Sequence, residues 1–181
     1  MRLSLQCHPF TPSSMVDEIS LTYEWRANGS LWLRYQINGA IQNLALPDRT
    51  DPQRADELWK MTCFELFLQE ASSNGYCEFN FSPSGCWAAY QFSGYRDGMT
   101  NLELSKAPDI IFHVSASHVA LEVTLDLPNI GEGTSINAAF SAVIADNSGS
   151  KSYWAFSHPP GKPDFHHKNC FTHQLKAADS L

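Results

Sequence analysis

The stretch CFELFLQEASSNGYCEFNF, Cys63 to Phe81, decides the fold. Its first run sets Phe64, Leu66 and Leu68 on one face against Cys63, Glu65 and Phe67 on the other. Its second sends Cys77, Phe79 and Phe81 one way and Tyr76, Glu78 and Asn80 the other. A period of two is the mark of a strand, because successive side chains leave the pleat on opposite sides. A short polar loop containing Ser-Ser-Asn-Gly separates the runs, so the pair predicts an antiparallel hairpin.

The same period recurs in both directions from this hairpin. SLWLRYQINGAI, from Ser30, puts Leu31, Leu33, Tyr35 and Ile37 on one face and Trp32, Arg34 and Gln36 on the other. IIFHVSASHVALEVTLDL holds two alternating runs around a polar centre, and SINAAFSAVIADN and SYWAFSH supply two more. Turn signals punctuate them: ANGS, SSNG, SPSG, YRDG and DNSGS. Only DPQRADEL, residues 51–58, reads as helical, with Asp51 as N-cap and Pro52 in the first position, and for one or two turns at most. Many short strands at this spacing predict an all-β fold, an antiparallel β-sandwich or barrel. No linker, repeat or low-complexity tract divides the 181 residues, so a single domain is expected over 1–181, with the closing LKAADSL expected to fray.

The charge balance narrows the partners. Nineteen acids against twelve Lys and Arg give a net charge of −7. Nucleic acid and anionic membrane both require a basic footprint, so neither is expected as a partner. No run of eighteen apolar residues is present to span a bilayer. The first residues, MRLSLQCHPFTPSS, show no apolar secretion core, which makes the cytoplasm the expected location. Five cysteines, Cys7, Cys63, Cys77, Cys86 and Cys170, are scattered without a Cys-x-x-Cys pair. They read as reduced, mostly buried thiols, not zinc ligands.

Chemistry-bearing residues fall in three places. On the hairpin, Glu65, Glu78 and Asn80 share a face with aromatic rings; carboxylates and amides bond hydroxyls while rings cover the apolar face of a pyranose, so the pattern suits a sugar. A solvated outer face is the competing reading. In SPSGCWAAYQFSGYRDGMT, Trp87 and Tyr90 follow a turn, and Arg96 offers a planar fork for vicinal hydroxyls or a carboxylate, or else pairs with a neighbour such as Asp97. In SYWAFSHPPGKPDFHHKNCF, Trp154 sits in a strand, and His158, Asp164, His166 and His167 stand in an irregular loop expected to run over the sheet. Metal binding, ligand contact and structural hydrogen bonding are all open to these histidines, and the loop lacks the regular spacing of a metal site. One of the pairs Trp154/Phe156 and Tyr153/Ala155 must face the core, and the other the site. No nucleophile elbow, phosphate loop or dinucleotide fingerprint appears, so catalysis is not expected; Glu65 and Glu78 as the acid and base of a glycosidase form the enzymatic alternative.

Three blocks, LWKMTCFELFLQE, YCEFNFSPSGCWAAYQFSGYRDGM and SYWAFSHPPGKPDFHH, resemble in order and spacing the bacterial DOMON-like proteins related to type 9 carbohydrate-binding modules. The resemblance implies a β-sandwich that binds a saccharide or another small molecule on a sheet face without catalysis. The residues it implies at the site are Glu65, Glu78, Asn80, Trp87, Arg96 and Trp154, with His158 and His166 beside them. Relatives in the wider group bind haem through Met and His, which makes a haem-binding redox domain the alternative; the residues available for it are Met61, Met99, His113 and His118. Calcium occurs among the sugar-binding relatives, but this sequence has no Asp-rich calcium loop. No metal and no cofactor is therefore expected.

Overall fold

The computed structural model describes residues 1–127 and 135–175. Among the described residues twelve strands carry the fold: β1 (Arg2–Cys7), β2 (Val16–Trp25), β3 (Leu31–Gly39), β4 (Cys63–Glu70), β5 (Tyr76–Phe81), β6 (Trp87–Phe92), β7 (Thr100–Asn101), β8 (Asp109–Val114), β9 (His118–Leu125), β10 (Ile136–Ala145), β11 (Lys151–Ala155) and β12 (His173–Leu175). They form two antiparallel sheets. The front sheet runs β7-β6-β5-β4-β10-β11, and β12 lies beside the start of β10. The back sheet runs β1-β2-β3-β9-β8. The two meet at β1, where Arg2 to Leu5 pair with β2 and Gln6 and Cys7 pair with β11. This is the antiparallel all-β sandwich that the alternation predicts.

The alternation also decides which side chains meet. Leu31, Leu33, Tyr35 and Ile37 of β3 and Val119, Leu121, Val123 and Leu125 of β9 face inward. Opposite them stand Phe64, Leu66 and Leu68 of β4, Phe79 and Phe81 of β5, and Phe140, Ala142 and Ile144 of β10. Two tyrosines carry polar bridges across this layer: Tyr35 Oη donates to the backbone carbonyl of Glu65 at 2.7 Å, and Tyr23 Oη of β2 lies 2.8 Å from His173 Nε2 of β12. Buried hydroxyls need such a partner.

Three features depart from the sequence reading. The alternating runs of β1 and β2 were not singled out, although DEISLTYEW alternates as regularly as β3 does. Residues 51–57 are not helical: the turn lies at Leu58–Lys60 as a 3-10 element whose N-cap is Glu57, not Asp51. The preceding chain runs extended along the edge of β6, where Ala55 N donates to Trp87 O, Trp87 N to Gln53 O, and the Arg54 guanidinium to the carbonyls of Ala89 and Leu102. A nucleus of one or two helical turns gains too little to compete with those edge bonds. Of LKAADSL, expected to fray, Leu175 instead ends β12 and is buried, and residues 176–181 lie outside the described residues. No helix among the described residues is long and apolar enough to cross a membrane.

Candidate functional site

The outer face of the front sheet is not solvated. The chain between β11 and β12 folds back over it and buries a second, smaller apolar cluster of Phe67, Tyr76, Tyr90, Phe92, Val143, Phe165 and Phe171. Beside this cluster a cavity of about 510 Å³ opens between the sheet, the Trp59 turn, Met99 and the segment Pro163–His166. Its floor comes from strand register. Glu65 pairs with Asn80, and Phe67 with Glu78, so Glu65 and Glu78 are diagonal neighbours on one face of β4 and β5. Such diagonals lie about 7 Å apart. Tyr90 continues the Glu78 row onto β6, and Ser141 continues the Glu65 row onto β10.

The two carboxyls are only 3% and 5% exposed. Ser141 Oγ donates to Glu65 Oε2 at 3.0 Å, and Asn80 Nδ2 donates to Glu78 Oε1 at 2.7 Å. Burial, followed by the charge of Glu78, lifts Glu65 to about 8 against the opposing Ser141 bond and Arg96. Burial likewise lifts Glu78 to about 7, opposed by the Asn80 bond and Arg96. The desolvation of an ionised carboxylate is the common cause.

The far wall is set by a tight turn after β6. Arg96 sits there at φ 52°, in the left-handed region. Its backbone N–H donates to Tyr76 Oη, and its guanidinium reaches Asp164 at 2.8 Å. Tyr95 Oη donates to the other Asp164 oxygen. Burial acts to raise Asp164, but the Tyr95 and Arg96 bonds outweigh it and hold the carboxylate low. This pair locks the covering segment to the turn. Since Tyr76 Oη accepts from Arg96, its own hydrogen goes to His166 Nδ1 at 2.7 Å. That assigns the ring hydrogen to Nε2, which faces Glu78 Oε2 at 3.8 Å. The contact is too long for a hydrogen bond and is not an ion pair, because burial and then Arg96 push the imidazole down to about 4 and keep it neutral.

The residues singled out in the sequence are therefore partly gathered. Glu65, Glu78, Arg96 and His166 line the cavity, and Asn80 stands behind Glu78 as its donor. Trp87 and Trp154 do not line it, which corrects their expected place in the site. Both lie in the core between the sheets, Trp87 under the Arg54 guanidinium at 4.5 Å and Trp154 bonded through Nε1 to Ser152 Oγ. The parity of β11 is thereby settled: Trp154 faces the core and Tyr153 the cavity. His158 is also elsewhere, with Nε2 at 2.8 Å from the Gln6 carbonyl and its ring edge-on to His8. The indole at the cavity is Trp59, which the sequence reading passed over; a Trp in the polar approach to a strand was the available signal. Of the residues named for haem, Met99 lines the cavity mouth, whereas His113 and His118 belong to the β8–β9 hairpin of the back sheet. Among the described residues no group of three or more His, Cys, Asp or Glu is arranged to hold a metal ion.

Fold and cavity together define an all-β sandwich with a covered, acid-floored pocket on one outer face. No protein-family model and no curated protein sequence matches the chain. Solved structures do. A protein from Bacteroides uniformis ATCC 8492, described provisionally as carbohydrate-binding, superimposes with a TM-score of 0.68 at 13% identity over 94% of this chain and 84% of its own. A family 9 carbohydrate-binding module from Caldicellulosiruptor kristjanssonii, solved with cellotriose, does so with a TM-score of 0.52 at 12% identity over 89% and 74%. At these identities the likeness establishes the fold: the sandwich is of the family 9 module type. Neither comparison bears on the DOMON part of the resemblance.

Proposed function

We propose that this chain is a non-catalytic binding domain that holds a saccharide in the cavity above β4, β5 and β6. The observation that carries the reading is the convergence of Glu65, Glu78, Arg96 and Asp164 within one cavity walled by Trp59, Tyr90 and Tyr153. Carboxylates and a guanidinium match the hydroxyls of a sugar ring, and aromatic side chains match its apolar face. The cellotriose held by the family 9 module supports the same ligand class. The alternative, glycoside hydrolysis by Glu65 and Glu78, has weaker support. That chemistry needs two carboxyls flanking the scissile bond, whereas these two rise from one floor on adjacent strands.

Calorimetric titration with a panel of mono- and oligosaccharides tests the proposal. Saturable binding that weakens at least tenfold in Trp59→Ala and in Arg96→Ala supports it. Silence across the panel, or binding indifferent to both substitutions, overturns it. Turnover of chromogenic glycosides that disappears in Glu65→Gln would move the assignment to the enzymatic reading.

A further inference from the structure

The cavity floor sets two buried carboxyls side by side without a Lys or Arg among the described residues ion-paired to either. Glu65 and Glu78 are more than nine-tenths buried, yet each takes only one hydrogen bond from the protein, on Oε2 and Oε1 respectively. Glu65 Oε1 and Glu78 Oε2 are left to whatever enters. No Lys or Arg among the described residues forms an ion pair with either. Arg96 is bonded to Asp164 at 2.8 Å. Lys151 lines the cavity but lies four residues along β11 from Ala155, which shares the Glu65 row, a separation of about 13 Å. His166 is neutral.

A sugar hydroxyl can bond each free oxygen, but it brings no charge that would let the buried pair ionise. A protonated amine bonds the same oxygens and also supplies the missing charge, in surroundings where charge-assisted bonds are strongest. Aromatic walls around an acid floor suit a cation as well. The raised carboxyls agree: burial, and for Glu65 the charge of Glu78, disfavours the ionised pair, and an ammonium between them would favour it.

We propose that the ligand presents a protonated amine to Glu65 Oε1 and Glu78 Oε2, which makes it an amino sugar or a short oligomer of one. This rests on the saccharide reading above and narrows it to a cationic class.

The test is calorimetry on the intact chain at pH 7 with four probes. These are glucosamine oligomers, the same oligomers N-acetylated, the neutral glucose oligomers of equal length, and spermidine as an amine without a sugar. The expected result is an affinity for the glucosamine series at least tenfold above the N-acetylated and glucose series. That preference is expected to shrink towards unity in a Glu65→Gln/Glu78→Gln variant whose circular dichroism matches the wild type. Should that variant not fold, the comparison of the amino with the N-acetylated series on the wild type still decides. Equal or tighter binding of the neutral or N-acetylated series overturns the amine assignment and leaves the saccharide reading standing. Binding of spermidine with no sugar bound keeps the amine at the acid pair and overturns the saccharide. No binding of any probe overturns both.

Discussion

Replacing Glu78 with glutamine tests the electrostatics of the cavity floor most directly. Burial raises this carboxyl from 4.5 to about 7 in the folded chain. Below pH 4.5 both folded and unfolded chains carry the proton, and the group contributes nothing to a pH dependence. Between 4.5 and about 7 the unfolded chain has released its proton while the folded chain keeps it, so stability falls as pH rises. At about 1.4 kcal/mol per pH unit, the loss amounts to roughly 3 kcal/mol once the folded group has also ionised. Glutamine keeps the volume and an acceptor for Asn80 but does not titrate. Glu78→Gln should therefore gain about 3 kcal/mol on the wild type between roughly pH 4 and pH 8. The gain grows if Glu65 relaxes, since the charge of Glu78 is one cause of its own elevation. His158, His166 and His173 are lowered and act with the opposite sign in the acid range. They cancel to first order when variant and wild type are compared at each pH. Urea unfolding followed by tryptophan fluorescence reads the effect: with a slope of about 2–3 kcal/mol per molar, the gap between midpoints should widen by about 1 M across the range. A gap that stays constant with pH refutes the assignment of Glu78 as a desolvated acid.

The two indole positions separate by stability. Trp154→Ala should cost about 3–5 kcal/mol in urea unfolding, whereas Trp59→Ala, at a site 38% exposed, should stay within about 0.5 kcal/mol; a reversed ranking would place the core indole wrongly. Tyr35→Phe removes the fully buried tyrosine bridge between the sheets and should lower unfolding free energy by about 1–2 kcal/mol, so an unchanged urea midpoint would deny that the bond to Glu65 O contributes. Arg96→Ala and Arg96→Gly both lose the Asp164 pair, but only alanine is strained at φ 52°. The alanine variant should thus melt as the less stable by about 1 kcal/mol, and equal melting would argue against the left-handed turn.

Much of the fold was legible because alternation carries face information. Once Phe64, Leu66 and Leu68 are placed inward, strand parity alone puts Glu65 on the outer face, and the hairpin register brings Glu78 beside it. The same logic shows why Trp87 was misplaced. It pairs with Phe81, an inward residue, so its face was fixed by a partner that the sequence does not name. Trp154 was left undecided for the same reason, since nothing local tells which side of β11 another segment will cover. That the chain after Trp154 leaves its strand as a loop over a sheet was legible in its prolines and glycine, but which face it covers was not. That choice depends on contacts such as Tyr95 and Arg96 with Asp164, which join residues nearly seventy positions apart. His158 had only its loop composition to argue from, and a loop rich in proline gives side chains no periodic direction.

The shared strand β1 has a consequence for how the chain comes together. Cys7 finds its partner at Trp154, so the seam joining the two layers cannot close until the chain has been made past residue 154. Until then the free margins of β1 and β10 stay open to the wrong neighbour, the situation in which slow, non-local β topologies are lost to aggregation. Nascent chains arrested before residue 155 should accordingly depend on holdase protection, and completed ones should shed that dependence in a single late event.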